Sequence, residues 1–359
     1  MRIALTYDLR EDYLAQGYGE EETAEFDQPS TIAALQAAIA HHGHDVERIG
    51  NVRALTRALA ADRRWDLVFN IAEGLYGFGR EAQVPALLEA HGIACTFSDT
   101  LVMSVCLHKG IAKDVLRARG IATPASVVIE HAAQCAGVHL APPLFVKPVA
   151  EGTGKGVTPA GIVRRLQDLP AVCTSLIARY RQPVLVETYL PGREFTVAIL
   201  GNGAEARCLP LVAFDFTTLP CGAPPVYGYE AKWLWDTAEH QLEIYECPAR
   251  VPDAVARDVE RVALAAYRAL ACRDWCRIDV RLDARGVPNV VELNPLPGIL
   301  PDPRLNSCFP KAARAAGYGY DGLIQEVVRI AWRRITGRDI GTGADEVIPR
   351  PALRVARSA

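Results

Sequence analysis

Long uncharged apolar runs, a strong net charge of either sign and closely paired cysteines are all missing from this sequence. No window approaches the ~18 apolar residues that a membrane-spanning helix needs. The start, MRIALTYDLR, carries only a few apolar residues before its first charge, too short for a signal peptide. The expectation is a cytoplasmic protein without a membrane partner. A formal net charge of −3 offers no basic field to nucleic acid or anionic lipid. Ten cysteines are present but scattered, and the nearest pair, Cys272 and Cys276 in CRDWC, lacks the two-residue gap of a zinc or redox motif. They read as reduced packing thiols. There is no internal repeat. What remains is an ordinary globular composition, half apolar and 23% charged over 359 residues, long enough for two or three domains.

Periodicity divides the chain. RIALTYD reads as a buried strand and STIAALQAAIAHHG as a helix, with Ser30 as the candidate N-cap and Gly43 as its stop; HDVERIG and WDLVFNIAEG read as further strands. Strands alternating with helices predict a parallel α/β sheet for about the first hundred residues. KGIAKDVLRARGIATPASVVI gives a helix, a stop at Gly120 and a new strand. From PLFVKPV onward the strands lie closer together, several as hairpins, so the rest is α+β. The tail from residue 336, TGRDIGTGADEVIPRPALRVARSA, has no period and is expected to hang loose.

Two stretches carry chemistry. In IDVRLDARGVPNVVELNPLPG two strands are joined by a turn at Ala284 to Pro288. Alternation puts Arg277, Asp279 and Arg281 on one face and Ile278, Val280 and Leu282 on the other; on the partner strand Val290, Glu292 and Asn294 share a face. Folding back brings Asp279 opposite Glu292 and Asn294, an oxygen-rich group that suits Mg²⁺ with phosphate oxygens completing its shell. Opposed acids need a compensating cation. A surface hairpin with solvated acids stays open on these residues alone. The second stretch, PLFVKPVAEGTGKGV, runs from an apolar strand through Lys147 into a loop with Gly152, Gly154 and Gly156. Such glycines free backbone N–H groups to approach an anion, and a lysine at the strand end supplies charge to a phosphate. The spacing is neither GxxxxGK[ST] nor GxGxxG, and a plain glycine hairpin is the alternative.

Taken in order, seven stretches resemble the ATP-grasp superfamily and, within it, the D-alanine:D-alanine ligases. They are DLVFNIAEGLYGFGREAQVPALLEAHGIACTFSD, HKGIAKDVLRARGIATP, VKPVAEGTGKGV, VLVETYLPGREFTVAIL, YGYEAKW, RIDV and VELNPLPG. The resemblance implies an ATP-grasp fold of class α/β. An N-terminal parallel α/β domain over 1–104 is followed by two α+β subdomains, 105–183 and 184–335, that sandwich ATP, with 336–359 as tail. It implies that Lys109 and Lys147 hold the ATP phosphates and that Glu151, Gly152, Thr153, Gly154 and Gly156 form the lid over them. Glu187, Tyr189 and Leu190 face the adenine, Glu194 takes the ribose, and Lys232 on a mobile loop reaches the transferred phosphate. Asp279, Glu292 and Asn294 hold two Mg²⁺ ions, for which Mn²⁺ is an alternative. Arg277 and the backbone of Gly298 stabilise an oxyanion. Thr153 stands where the family usually has serine and keeps the hydroxyl. A homodimer through the first domain is also implied.

The implied reaction activates a carboxylate as an acyl phosphate and joins it to an amino-acid-type amine. Departures fall on the substrate side. A long acidic, tyrosine-rich loop, YDLREDYLAQGYGEEETAEFDQPST, replaces a short glycine turn, and Asp27 is the nearest match to the glutamate that orients the first ammonium. Trp233 follows Lys232 where tyrosine is usual. The loop PLPGILPDPRLNSCFP is longer than the family's; Ser307 matches a substrate-binding serine, Cys308 replaces a leucine and Arg304 is a new cation. Tyr227, in the aromatic stretch before Lys232, joins these on the substrate side. The expected activity is therefore a ligase with altered small-molecule amino-acid or amine substrates. A genuine D-alanine:D-alanine ligase, a nucleotide-binding module without turnover, and an ATP-grasp enzyme acting on something other than an amino acid are the alternatives.

Overall fold

The computed structural model describes residues 1–220, 225–228 and 242–340. Lys232, Trp233 and the tail from 341 lie outside the described residues. The chain opens with β1 (Arg2–Thr6), α1 (Arg10–Leu14), α2 (Pro29–Ala40), β2 (Asp45–Gly50), α3 (Val52–Ala60), β3 (Leu67–Asn70) and α4 (Gln83–Ala90). β1 pairs in parallel with both β2 and β3, so the sheet order is β2–β1–β3. All four residues of β3 are buried, as expected of a strand covered on both faces. α2 begins two residues earlier than its sequence suggests. Gln28 occupies the cap and Pro29 the first turn, where its fixed φ is pre-set for helix; Ser30 lies inside.

Two helices lead onward: α5 (Thr100–Leu107), capped by the Asp99 carboxylate, and α6 (Lys109–Ala118), capped by the His108 ring. The second sheet combines β4 (Ser126–Ile129), β5 (Leu144–Pro148), β6 (Ile162–Val163) and β7 (Val184–Thr188), all antiparallel in the order β4–β7–β5–β6. α7 (Leu169–Tyr180) covers one face, burying Leu169 and Cys173 against Leu144, Val146, Val184 and Val186.

The third sheet holds β8 (Glu194–Leu200), β9 (Arg207–Cys208), β10 (Val212–Phe214), β11 (Tyr245–Glu246), β12 (Trp275–Leu282) and β13 (Pro288–Asn294). Its order is β11–β10–β8–β12–β13, with β9 on β8. α8 (Asp253–Ala269) buries Val259, Val262, Ala263, Ala266 and Tyr267 with Ile278, Val280 and Val290. On the other side α9 (Cys308–Ala315) and α10 (Tyr320–Thr336) share one core with the first sheet. Trp275 stacks on Phe97 at 4.2 Å there. Beside it fully buried Asp274 accepts 2.8 Å bonds from Arg334 Nε and Nη2 and one of 2.7 Å from the Phe97 N–H, tying the segment around Phe97 to α10.

The β12–β13 hairpin differs from simple alternation in one respect. Asp279 pairs with Glu292 but Val280 pairs with Val290, so Val291 is a bulge residue. Val290 thereby turns into the core, fully buried beside Ile278, while Val291 takes its place on the face of Glu292. The turn is also shorter than expected. Asp283 accepts from the N–H groups of Arg285 and Val287, both at 2.8 Å, and β13 has begun by Pro288. At the other end the acidic N-terminal loop contains α1, whose Tyr13 is buried and donates its hydroxyl to Asp8. The helical core of α10 ends at Thr336, with Gly337 at φ 72° as its left-handed cap.

Candidate active site

Between the second and third sheets lies a cavity walled by β5, the glycine loop, β7, β8, β12 and β13. Alternation on β5 and β7 points Lys147 and Glu187 the same way, and their side chains meet at 2.9 Å. The other Glu187 oxygen lies 3.0 Å from Lys113, a lysine one helical turn beyond Lys109 on α6. Burial would raise the Glu187 carboxyl, but Lys113 and Lys147 hold it below its usual range. Lys113 itself is brought down to about 8 by burial, against the pull of Glu187. Two cations thus share one buried carboxylate, leaving positive charge in hand at the β5 end.

Lys109 starts α6, donates to the Glu151 carbonyl at 2.5 Å and reaches Glu292 at 3.4 Å. Burial alone would push the Glu292 carboxyl up; Lys109, Lys147 and Arg277 together hold it at about 2. Across the hairpin Asp279 accepts from Thr196 Oγ1 at 2.6 Å, from Arg277 Nε at 3.2 Å and Nη2 at 3.1 Å, and from Asn294 Nδ2 at 3.3 Å. Burial and the Glu292 charge raise its carboxyl even against Arg277. Two acids, one amide and two flanking cations therefore converge as the register requires. Among the described residues no group of three or more His, Cys, Asp or Glu side chains is placed to hold a metal. Two carboxylates fit Mg²⁺, which usually takes one or two from protein and the rest from phosphate and water.

The glycine loop closes one side. Thr153 adopts φ 57° and Gly154 φ 78°; at Gly156, φ 73°, a Cβ would lie 2.5 Å from the Pro148 ring. A Cβ on Gly152 would meet Glu25 Oε1. The far wall holds Tyr189, Leu190 and Glu194. Arg281 donates to Glu194 at 2.9 Å and lies over the Tyr189 ring at 5.4 Å. Tyr227 lines the same cavity against Phe214 and Tyr245.

A second, smaller cavity shares Lys109, Thr153, Arg277 and Glu292 with the first and adds Asn294 and Gly298. Glu25, Glu73 and Glu81, from the N-terminal part of the chain, line it as well. Glu25, rather than Asp27, is the acid of the N-terminal loop that reaches this cavity. It pairs with Arg80 at 3.1 Å and Lys155 at 3.0 Å, and these outweigh its burial to hold its carboxyl at about 2. Asp27 lines none of the cavities described. It sits beside Asp8, and burial with that charge brings it to about 7. Ser307 is buried and donates to the Gly298 carbonyl at 2.9 Å, fixing the loop. Arg304 is 84% exposed and forks onto Asp302, with contacts of 2.7–3.1 Å, outside the cavities.

Lys113, Arg281, Glu25, Glu73 and Glu81 were not picked out by sequence reasoning. Lys113 and Arg281 had a signal: i, i+4 from Lys109 on one helix face, and the strand face of Asp279.

Acids and lysines facing one another under a glycine loop, between two antiparallel sheets, fit an ATP-grasp enzyme. The family described as D-ala D-ala ligase C-terminus matches residues 118–329. A D-alanine–D-alanine ligase of Bordetella petrii is 35% identical over 82% of this chain and 83% of its own. An uncharacterized protein of Sinorhizobium fredii is 33% identical over 87% and 89%. The crystal structure of D-alanine–D-alanine ligase from Bacillus anthracis complexed with ATP covers 93% of this chain and 98% of its own. It has a TM-score of 0.68 at 23% identity, a likeness of fold. This chain belongs to the D-alanine–D-alanine ligase family and is an ATP-dependent ligase. No helix among the described residues is long and apolar enough to cross a membrane, and the nine cysteines there are all free.

Proposed function

We propose that this ligase activates the carboxylate of a small amino acid as an acyl phosphate and couples it to the amine of a second small substrate. The γ-phosphoryl group of ATP passes to a carboxylate oxygen and ADP leaves. The neutral amine then attacks the acyl carbon, phosphate departs, and the nitrogen loses a proton. Lys109 and Lys147 hold the phosphates, with Glu187 and Lys113 fixing the Lys147 ammonium. Glu194, locked by Arg281, takes the ribose, and Tyr189 with Leu190 the adenine. Asp279, Glu292 and Asn294 would hold Mg²⁺, which supplies charge neutralisation to the phosphates. Arg277, kept in line by two bonds to Asp279, faces the acyl oxygen where negative charge develops, with the Gly298 backbone beside it. The glycine loop excludes water from the acyl phosphate, and Lys232 serves the transferred phosphate. We place the reaction in the cytoplasm, in a homodimer formed through the first domain.

The observation that carries this reading is the shared wall of the two cavities. Lys109, Arg277 and Glu292 border the nucleotide side and the Glu73–Glu81 side at once, as transfer between two bound molecules demands. The test is ADP release with ATP over a panel of amino acids and amines, D-alanine included, with and without Mg²⁺. Turnover that needs Mg²⁺ and a carboxylate substrate is expected. ATP binding without turnover across the panel would refute the ligase reading, and D-alanine as the best substrate would refute altered specificity.

A further inference from the structure

We propose that the smaller cavity takes a short diamino acid, its carboxylate on the Arg277 wall and its cationic nitrogens on Glu73 and Glu81. This deepens the ligase reading above and rests on it.

The charge balance of the cavity carries the proposal. Glu25 is matched by Arg80 and Lys155, Glu151 by Lys155 at 2.5 Å, and Glu292 by Lys109. Two carboxylates, both from NIAEGLYGFGRE, are left over. Glu81 is 8% exposed, and its side chain makes no hydrogen bond among the described residues. Among the described residues its nearest cation, Arg80, stands 3.8 Å away with its fork already on Glu25 and the Ala150 carbonyl. The Glu73 side chain has neither ion pair nor hydrogen bond there, yet lines the same space. Burial with the charges of Glu81 and Glu25 raises Glu73 well above its usual range, and burial with the charges of Glu25 and Glu292 brings Glu81 to about 7 against Arg80 and Lys109.

A carboxylate turned into a cavity with no close cation, or with one already engaged elsewhere, is costly to keep charged, so the cavity is suited to receive positive charge beside Glu73 and Glu81. A neutral amino acid brings one ammonium for two carboxylates, and a diamino acid brings two. Its acid end has Lys109 and Arg277 to meet, the cations that line the cavity among the described residues. The space is about 100 Å³, less than the ~150 Å³ that holds a benzene ring, which restricts the side chain to a few atoms.

The experiment is calorimetric titration of the full chain, held with Mg²⁺ and a non-hydrolysable ATP analogue. The probes are each enantiomer of 2,4-diaminobutyrate and its neutral isostere 2-aminopentanoate. In the wild type one diaminobutyrate enantiomer should bind roughly tenfold or more tightly than the isostere, the scale of a charge-assisted hydrogen bond. Glu73→Gln, and independently Glu81→Gln, should collapse that ratio to about twofold or less while leaving affinity for the ATP analogue unchanged. Equal binding of the two probes by wild type overturns the proposal, as does a loss that falls equally on both probes in the variants. Turnover separates the two readings. Selective binding of diaminobutyrate without ADP formation under any acceptor would keep the pocket assignment and overturn the ligase reading.

Discussion

Replacing Glu292 by glutamine keeps the shape of the side chain and removes its charge from among three cations. Its carboxyl is held at about 2 in the folded chain against 4.5 for an unperturbed group, because Lys109, Lys147 and Arg277 more than offset its burial. The group is 23% exposed, so screening is modest. A depressed carboxylate stabilises the fold at pH above its unfolded value and loses that contribution as pH falls through the folded one. The stabilisation is thus complete above about pH 4.5 and disappears between there and about pH 2. At 1.36 kcal/mol per pH unit the difference is worth about 3 kcal/mol at neutral pH. Glu292→Gln without nucleotide should therefore lower the unfolding free energy at pH 7 by roughly that amount, and its penalty should shrink at the acid end. Urea denaturation at a series of pH values measures both, and ADP release on the same protein should be abolished. Unfolding curves that coincide with wild type at pH 7, or near-normal ADP release from folded variant, would refute the clamp.

Two other substitutions probe different parts of the account. Lys147→Met should raise KM for ATP roughly 10- to 100-fold, as loss of one charge-assisted phosphate contact does, and steady-state kinetics with varied ATP will show it. Asp274→Ala strips Arg334 of its buried carboxylate and orphans the Phe97 N–H. It should cost about 3–5 kcal/mol in denaturant unfolding. A loss below about 1 kcal/mol would mean that the first domain does not depend on this pair.

Much of the site was legible because strand alternation is strict. Asp279, Glu292 and Asn294 converge as the two-residue period requires, and Lys147 and Glu187 meet because both sit on central strands of one small sheet. Val290 was misplaced because a bulge shifts phase by one residue and leaves no mark in the pattern of apolar and polar letters. In the N-terminal loop no period operates. Asp27 is the acid nearest the helix, but its neighbours are Asp8 and the strand-like bridge to Leu9, and Glu25 two residues earlier is the one turned toward Arg80 and Lys155. Glu73 and Glu81 flank a glycine-rich loop, where acids ordinarily mean solvent; only the fold brings them to one cavity with Glu292 and Asn294 of β13. The helix start at Pro29 was set by a proline that fits the first turn, against the more familiar cap signal of Ser30.

If a carboxylate is phosphorylated before the amine attacks, an acyl phosphate exists to be trapped. Hydroxylamine, a strong neutral nucleophile, captures acyl phosphates as hydroxamates. Incubating the full chain with ATP, Mg²⁺, hydroxylamine and an amino acid that supports ADP release tests the claim directly. Hydroxamate and ADP should form in equal amounts, dependent on ATP and Mg²⁺, and neither should form with Glu292→Gln. ADP formed without hydroxamate, with the phosphoryl group on a hydroxyl or lost to water, would contradict it.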